Sequence, residues 1–287
     1  MTNALSANHG DTVRIWFITG ASSGIGLELA RAAARRGDLV AALARNRNKM
    51  QPLLDEFGDR VLTLEGNVVD PASMQAAVEA TVATFGRIDV VANNAGFGVF
   101  GAVEEATDEQ ARIVFDTNVF GVLNVLRAVL PVLRTQGSGH IVQGSSYYGQ
   151  TAHPGVGLLA ATKYAVEGLS DALVGELAPL GIGVTLVEPG PTATAFLDNL
   201  ELTTTNDDYQ IVRDVQQSIG ELPPSAFNDP ARVAAAILTA VDADHPPLRL
   251  ATGTHAVTEI RTAISARLAE LDAWEDTSVE VDSAGAA

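Results

Sequence analysis

Short apolar runs alternate along the chain with longer segments whose hydrophobic positions recur at helical spacing. The run Arg-Ile-Trp-Phe-Ile at 14–18 reads as a buried strand, and 25–36 as a helix closed by Gly37. Residues 39–43 and 61–64 read as the second and third strands. The segment 71–85 is a helix with Pro71 in its first turn. A fourth strand at 88–92, a long helix at 108–133 and a fifth strand at 140–143 follow. The remainder reads as helix 158–177, strand 183–187, helix 230–241, strand 248–251 and a last helix 257–274.

Such alternation from end to end implies an α/β fold, parallel strands joined by crossover helices on both faces of one doubly wound sheet. The chain shows no linker, internal repeat or low-complexity stretch, so residues 1–287 are expected to form a single domain. Residues 1–12 read as an N-terminal extension and 276–287 as a disordered tail. The segment 191–228, rich in Thr, Asp and Pro, follows a strand's carboxyl end, where open α/β sheets bind ligands; it reads as a substrate lid.

Composition narrows the class. Hydrophobic residues make up 47% of the chain, enough for a sizeable core. No apolar run of bilayer length and no signal-peptide pattern stand out, and there is no cysteine for a disulfide or thiolate metal site. A cytoplasmic protein without a metal or membrane partner is expected. The net charge of −17 argues against a nucleic-acid surface. Lysine is scarce: only Lys49 and Lys163 occur.

Between the first strand and first helix lies Thr19-Gly20-Ala21-Ser22-Ser23-Gly24-Ile25-Gly26. Glycines there permit a tight turn and let the backbone approach a pyrophosphate at the positive end of the helix. The placement points to dinucleotide binding.

The turn resembles that of the short-chain dehydrogenase/reductase family, and further motifs agree in order. Asn93-Asn94-Ala95-Gly96 follows the fourth strand, Asn118 lies in the long helix, and Ser145-Ser146 follows the fifth strand. Lys163 lies in the next helix, and Pro189-Gly190-Pro191-Thr192 follows the sixth strand. The likeness spans about 13–251. It implies a Rossmann domain of about seven parallel strands and a homodimer or homotetramer built on the two long central helices. It further implies that Gly20, Ser22, Ser23, Gly24, Ile25, Gly26, Asn67, Val68, Asn94, Ala95, Gly96, Lys163, Pro189, Gly190, Thr192 and Thr194 border the dinucleotide. Asn67 stands where the family usually has Asp.

The end of the second strand reads Ala42-Leu43-Ala44-Arg45-Asn46-Arg47, with no carboxylate to repel a 2′-phosphate and two guanidiniums to bind one. NADP(H) is therefore expected over NAD(H), with Arg45 and Arg47 as the residues that favour it.

The family's acid/base is a Tyr-x-x-x-Lys pair on one helix face, aided by a serine and an asparagine. Here Asn118, Ser146 and Lys163 match, but the tyrosine position holds Leu159. Tyr164 cannot substitute, because it points about 100° away from Lys163. Three accounts follow: an oxidoreductase impaired at one position; a substitute donor among Tyr147, Tyr148 and His153, serving a redox or a non-redox reaction; or an NADP(H)-binding sensor or scaffold. Phe97, Val99, Phe100, Tyr148, His153, Leu159, Phe196, Leu197 and Tyr209 are expected around an apolar ketone, aldehyde or alcohol, although any of these aromatics could instead simply pack the core.

Overall fold

The computed structural model describes residues 13–197 and 199–282. Its elements run β1 (Ile15–Thr19), α1 (Gly24–Arg35), β2 (Leu39–Ala44), α2 (Gln51–Phe57), β3 (Val61–Glu65), α3 (Pro71–Phe85), β4 (Val90–Asn93) and β5 (Val99–Phe100). Then come α4 (Asp108–Phe115), α5 (Gly121–Gln136), β6 (Gly139–Gly144), α6 (Gly157–Leu177), β7 (Ile182–Pro189) and β8 (Glu201–Leu202). The chain closes with α7 (Gln210–Gly220), α8 (Pro230–Asp242), β9 (Arg249–Thr252), α9 (Thr254–Ala273) and α10 (Glu275–Val279).

Seven strands form one parallel sheet in the order β3-β2-β1-β4-β6-β7-β9. Alternate side chains explain why each strand reads as a continuous apolar run. Phe17, Leu43, Val91 and Ile141 face a core closed by Met74, Val78, Val129 and Leu133. Trp16, Ile18, Val40 and Val142 face the opposite core, closed by Leu29, Ala33, Val233 and Ile237. Both faces are buried, so neither needs polar positions. The direction of winding reverses between β1 and β4, opening a crevice at their carboxyl ends.

Three expectations are corrected. The long helix is interrupted by a π-helical turn, Asp116–Phe120, and runs on to Gln136. The stretch Asp108–Gln136 is long and apolar enough to cross a membrane by length and composition, with mean hydropathy 1.6 in its best window. More than half of that window is buried in this domain, because α5 covers the sheet with Val125, Val129 and Leu133. Finally, part of the expected tail is ordered as α10; residues 1–12 and 283–287 lie outside the described residues. The expected lid also has structure of its own, for β8 pairs with β5 and α7 packs Val212 inward.

Candidate active site

The glycine turn occupies the crevice beside β1. Gly20 and Gly24 have φ of +68° and +57°, which side chains with a Cβ rarely adopt. At Gly26 the constraint is space, since a Cβ would lie 2.5 Å from both the Gly20 carbonyl oxygen and Asn94 Nδ2. The helix that follows differs from its neighbours. Asp70, Thr107 and Asp229 cap α3, α4 and α8 with side-chain hydrogen bonds. Ser23 makes no such bond, and the first turn of α1 carries no acid. Its leading amides and positive dipole end thus remain available to an anion, and a pyrophosphate fits this end.

The surrounding turns are tied to the same point. Thr19 Oγ1 accepts hydrogen bonds from the amides of Asn94 and Ala95, at 3.0 and 3.1 Å. Asn94 Nδ2 donates to the Thr19 carbonyl, and Gly96 lies exposed beside them. From the opposite wall, the Thr194 methyl approaches within 3.0 Å of where a Gly24 Cβ would stand. Gly190 is anchored to Thr252, and Thr192 Oγ1 donates to the Gly190 carbonyl. Past β2, Arg45 is exposed at the crevice rim, whereas Arg47 Nε donates to Thr63 Oγ1 at 2.9 Å. Of these two, Arg45 makes no hydrogen bond among the described residues and can reach a phosphate without giving one up. Asn67 is exposed, its Oδ1 accepting from the Val69 amide; Val68 is buried with its carbonyl held by Asn124.

Asn118, Ser146, Leu159 and Lys163 converge at the end of β6. The π-helical turn aims Asn118 inward, where Oδ1 accepts from the Phe97 amide and Nδ2 donates to the Phe97 carbonyl and to Thr162 Oγ1. Lys163 Nζ donates to the Gly144 carbonyl at 2.7 Å. Burial pulls this ammonium down to about 8, against the opposing pull of Glu167 one helical turn on. Ser146 Oγ accepts from the Tyr148 amide at 3.2 Å. Leu159 is buried, and Leu159, Phe196 and Leu200 crowd round Gly98, where a Cβ would meet Leu200 at 2.7 Å.

The loop after β6 presents Tyr147, Tyr148 and His153. Tyr147 is buried, its ring 4.0 Å from that of Tyr148 and edge-on to His255. Tyr148 and Leu200 pack against the apolar cluster of Phe100, Ala102, Val156 and Val212. Of the other expected pocket residues, Phe97 is half-buried, Val99 is buried in β5 and Leu197 is exposed. Tyr209 binds Glu104 through its hydroxyl, at the edge of an open cleft of about 480 Å³ that His153 also lines.

Sequence reasoning missed several residues here. Leu200 closes the wall opposite Leu159, and Glu105 clamps the lid by accepting from Arg213 and from the Asn206 amide. Behind Lys163, buried Glu167 accepts from Ser145 at 2.5 Å and pairs with Arg249 at 2.8 Å. Its neighbour Glu188 is pushed up to about 7 by burial and by the Glu167 charge. Isolated acids in a sequence carry no signal of such pairing, because their partners lie tens of residues away.

The family model for short chain dehydrogenases matches residues 14–205. "Oxidoreductase BOA17" of Botryotinia fuckeliana is 37% identical, over 93% of this chain and 98% of its own length. The 3-ketodihydrosphingosine reductase of Bacteroides thetaiotaomicron is 38% identical, over 84% and 88%. Among solved structures, a short-chain dehydrogenase from Streptomyces avermitilis superposes with a TM-score of 0.87 at 36% identity, covering 95% of this chain and 99% of that one. An alcohol dehydrogenase from Thermococcus sibiricus complexed with 5-hydroxy-NADP is similar at TM-score 0.71 and 26% identity, over 84% and 96%.

Proposed function

Since the chain belongs to the short chain dehydrogenase family and is an oxidoreductase of that family, we propose that it interconverts an apolar ketone or aldehyde and its alcohol with NADP(H), by a protonation step that Leu159 alters. The bound dinucleotide supplies or accepts the hydride. This chain's residues would do the rest: the Gly20–Gly26 turn and uncapped α1 would hold the pyrophosphate, Arg45 would take the 2′-phosphate, and Lys163 would bind the nicotinamide ribose. Ser146 offers its hydroxyl to the substrate oxygen, and the apolar wall of Leu159, Phe196 and Leu200 excludes water from the reacting carbon.

The observation that carries this reading is the contrast at one helix face. Lys163 and Asn118 keep their places while the position one turn before the lysine is a buried leucine. The leucine also extends the apolar lining, which suits a keto substrate such as the 3-ketodihydrosphingosine in the name of the Bacteroides relative. Oligomers through α4, α5 and α6 are proposed from their apolar content, and the charge of −17 speaks against nucleic acid. The acidic, cysteine-free chain suits the cytoplasm.

Dissociation constants for NADPH and NADH, followed by NADPH-dependent turnover of alkyl and aryl ketones, test the reading. NADPH is expected to bind about tenfold or more tightly, the value of one charge-assisted phosphate contact. Tighter NADH binding would overturn the cofactor assignment. Tight dinucleotide binding without turnover of any carbonyl or alcohol would point to a sensor or scaffold.

A further inference from the structure

Leucine can neither give nor take a proton, so a carbonyl reduced beside Leu159 needs its proton from elsewhere. The loop after β6 offers one arrangement suited to this. Tyr148 is fixed two residues beyond Ser146 by the bond from its amide to Ser146 Oγ. Its side chain packs with Leu200 against one apolar cluster, and Leu200 meets Leu159 at Gly98. Leu200 thus links the cluster on which the phenol packs to the wall that Leu159 lines. Its hydroxyl lies 2.5 Å from His153 Nε2. His153 Nδ1 lies 3.0 Å from the Pro154 carbonyl, which can only accept, so Nδ1 carries a hydrogen. In the neutral ring Nε2 is therefore the acceptor for Tyr148. His153 borders the open cleft of about 480 Å³, which gives it access to solvent protons. Tyr147, buried between Tyr148 and His255, is joined to His153 only through its side-chain hydrogen bond with Tyr148.

We propose that Tyr148 is the proton donor to the substrate oxygen, positioned and recharged by His153, so that the acid has moved from α6 to the loop after β6. This rests on the oxidoreductase reading above. In the reductive direction the carbonyl carbon gains the hydride of the reduced dinucleotide, and its π pair becomes a lone pair on oxygen. The Tyr148 O–H bond breaks as that oxygen takes the proton, giving the alcohol. His153 Nε2 then takes a proton from water in the cleft and passes it to the phenolate, which restores both the phenol and the neutral ring. One carbonyl is reduced, one dinucleotide is oxidised and one solvent proton is consumed. Burial holds the phenol up at about 12, so it stays protonated at neutral pH yet remains a stronger acid than the alcohol it forms.

The test compares wild type with Tyr148→Phe, His153→Ala and Tyr147→Phe, reading NADPH affinity, ketone turnover and proton NMR. Tyr148→Phe is expected to lower turnover about a hundredfold or more with NADPH affinity unchanged, and Tyr147→Phe to change it little. Added imidazole should restore His153→Ala but not Tyr148→Phe. A downfield hydrogen-bonded proton resonance should vanish in both. Turnover of Tyr148→Phe within about threefold of wild type would overturn the proposal, whatever the reading of the family. If Tyr148→Phe fails to fold, imidazole rescue and the lost resonance in His153→Ala decide the matter, and their absence overturns it. An inactive wild type beside an active Leu159→Tyr would leave the oxidoreductase reading standing and end this proposal. Inactivity of both, with NADPH bound, would end both.

Discussion

The two halves of the crevice follow different rules. On the β1–β4 side, backbone shape does the work: positive-φ glycines, an uncapped helix and the Thr19 hydroxyl fix a surface with little dependence on particular side chains. On the β6–β7 side, chemistry depends on single side chains: buried Leu159, which can neither give nor take a proton, stands one helical turn before Lys163, while Lys163 and Asn118 hold their bonds. The halves meet through the β4–β6 pairing, at Asn118, which bonds Phe97, and at Thr194 over Gly24; Leu159 makes none of these contacts, so a functional group can be lost there without disturbing the glycine turn. Binding and chemistry are separable in this fold.

The sharpest way to test that separation is to return the acid to α6. Placing Leu159→Tyr in a Tyr148→Phe background is expected to raise ketone turnover by about 10²- to 10⁴-fold, the usual worth of a positioned acid. NADPH affinity, measured by fluorescence, should not move. The converse variant is Gly26→Ala, whose methyl would collide with the Gly20 carbonyl and Asn94. Overpacking of this kind costs about 1 to 3 kcal/mol, so calorimetry should show dinucleotide binding weakened about ten- to a hundredfold. A loss of turnover without a loss of affinity would break the comparison.

A smaller effect is expected from Arg45→Ala, which should weaken NADPH about tenfold and leave NADH nearly unchanged. Arg47→Ala should do less, since its guanidinium is already engaged by Thr63. Equal losses for both dinucleotides would remove Arg45 from the phosphate site.

The smallest effect concerns the acids behind Lys163. In the fold Glu188 keeps its proton up to about pH 7, whereas a free glutamate loses it near 4.5. Between those values the native state holds a proton that the unfolded chain has released. This group therefore lowers stability as pH rises from about 4.5 to about 7, with no further loss above. Glu188→Gln should flatten that slope, raising the melting temperature by a few degrees at about pH 8 and little at about pH 5. Calorimetric melting at the two pH values would check this; an unchanged slope would show that Glu188 is already ionised in the fold.

How much could be read from the sequence differed in the same way. Buried strands and the glycine turn were legible because their signals are local: an apolar run, or three glycines between a strand and a helix. The π-helical turn at Asn118 was not, since a single extra residue in a helix hardly alters its hydrophobic period. The α7 helix escaped because its apolar face covers only a small cluster with Phe100, Ala102 and Val156, separate from the two sheet cores. Arg45 and Arg47 look equivalent in the sequence, yet only the fold brings Thr63 to one of them.

By itself the sequence determined the α/β architecture, the glycine turn and the leucine four residues before Lys163, all of which depend on residue type at short spacing. Tertiary structure decided the rest. It brought Leu200 against Leu159, joined Tyr148 to His153, gave Lys163 the Gly144 carbonyl and paired Glu167 with Glu188. These depend on which side chains share a small, water-poor space, and that is fixed only when distant strands and loops are packed together.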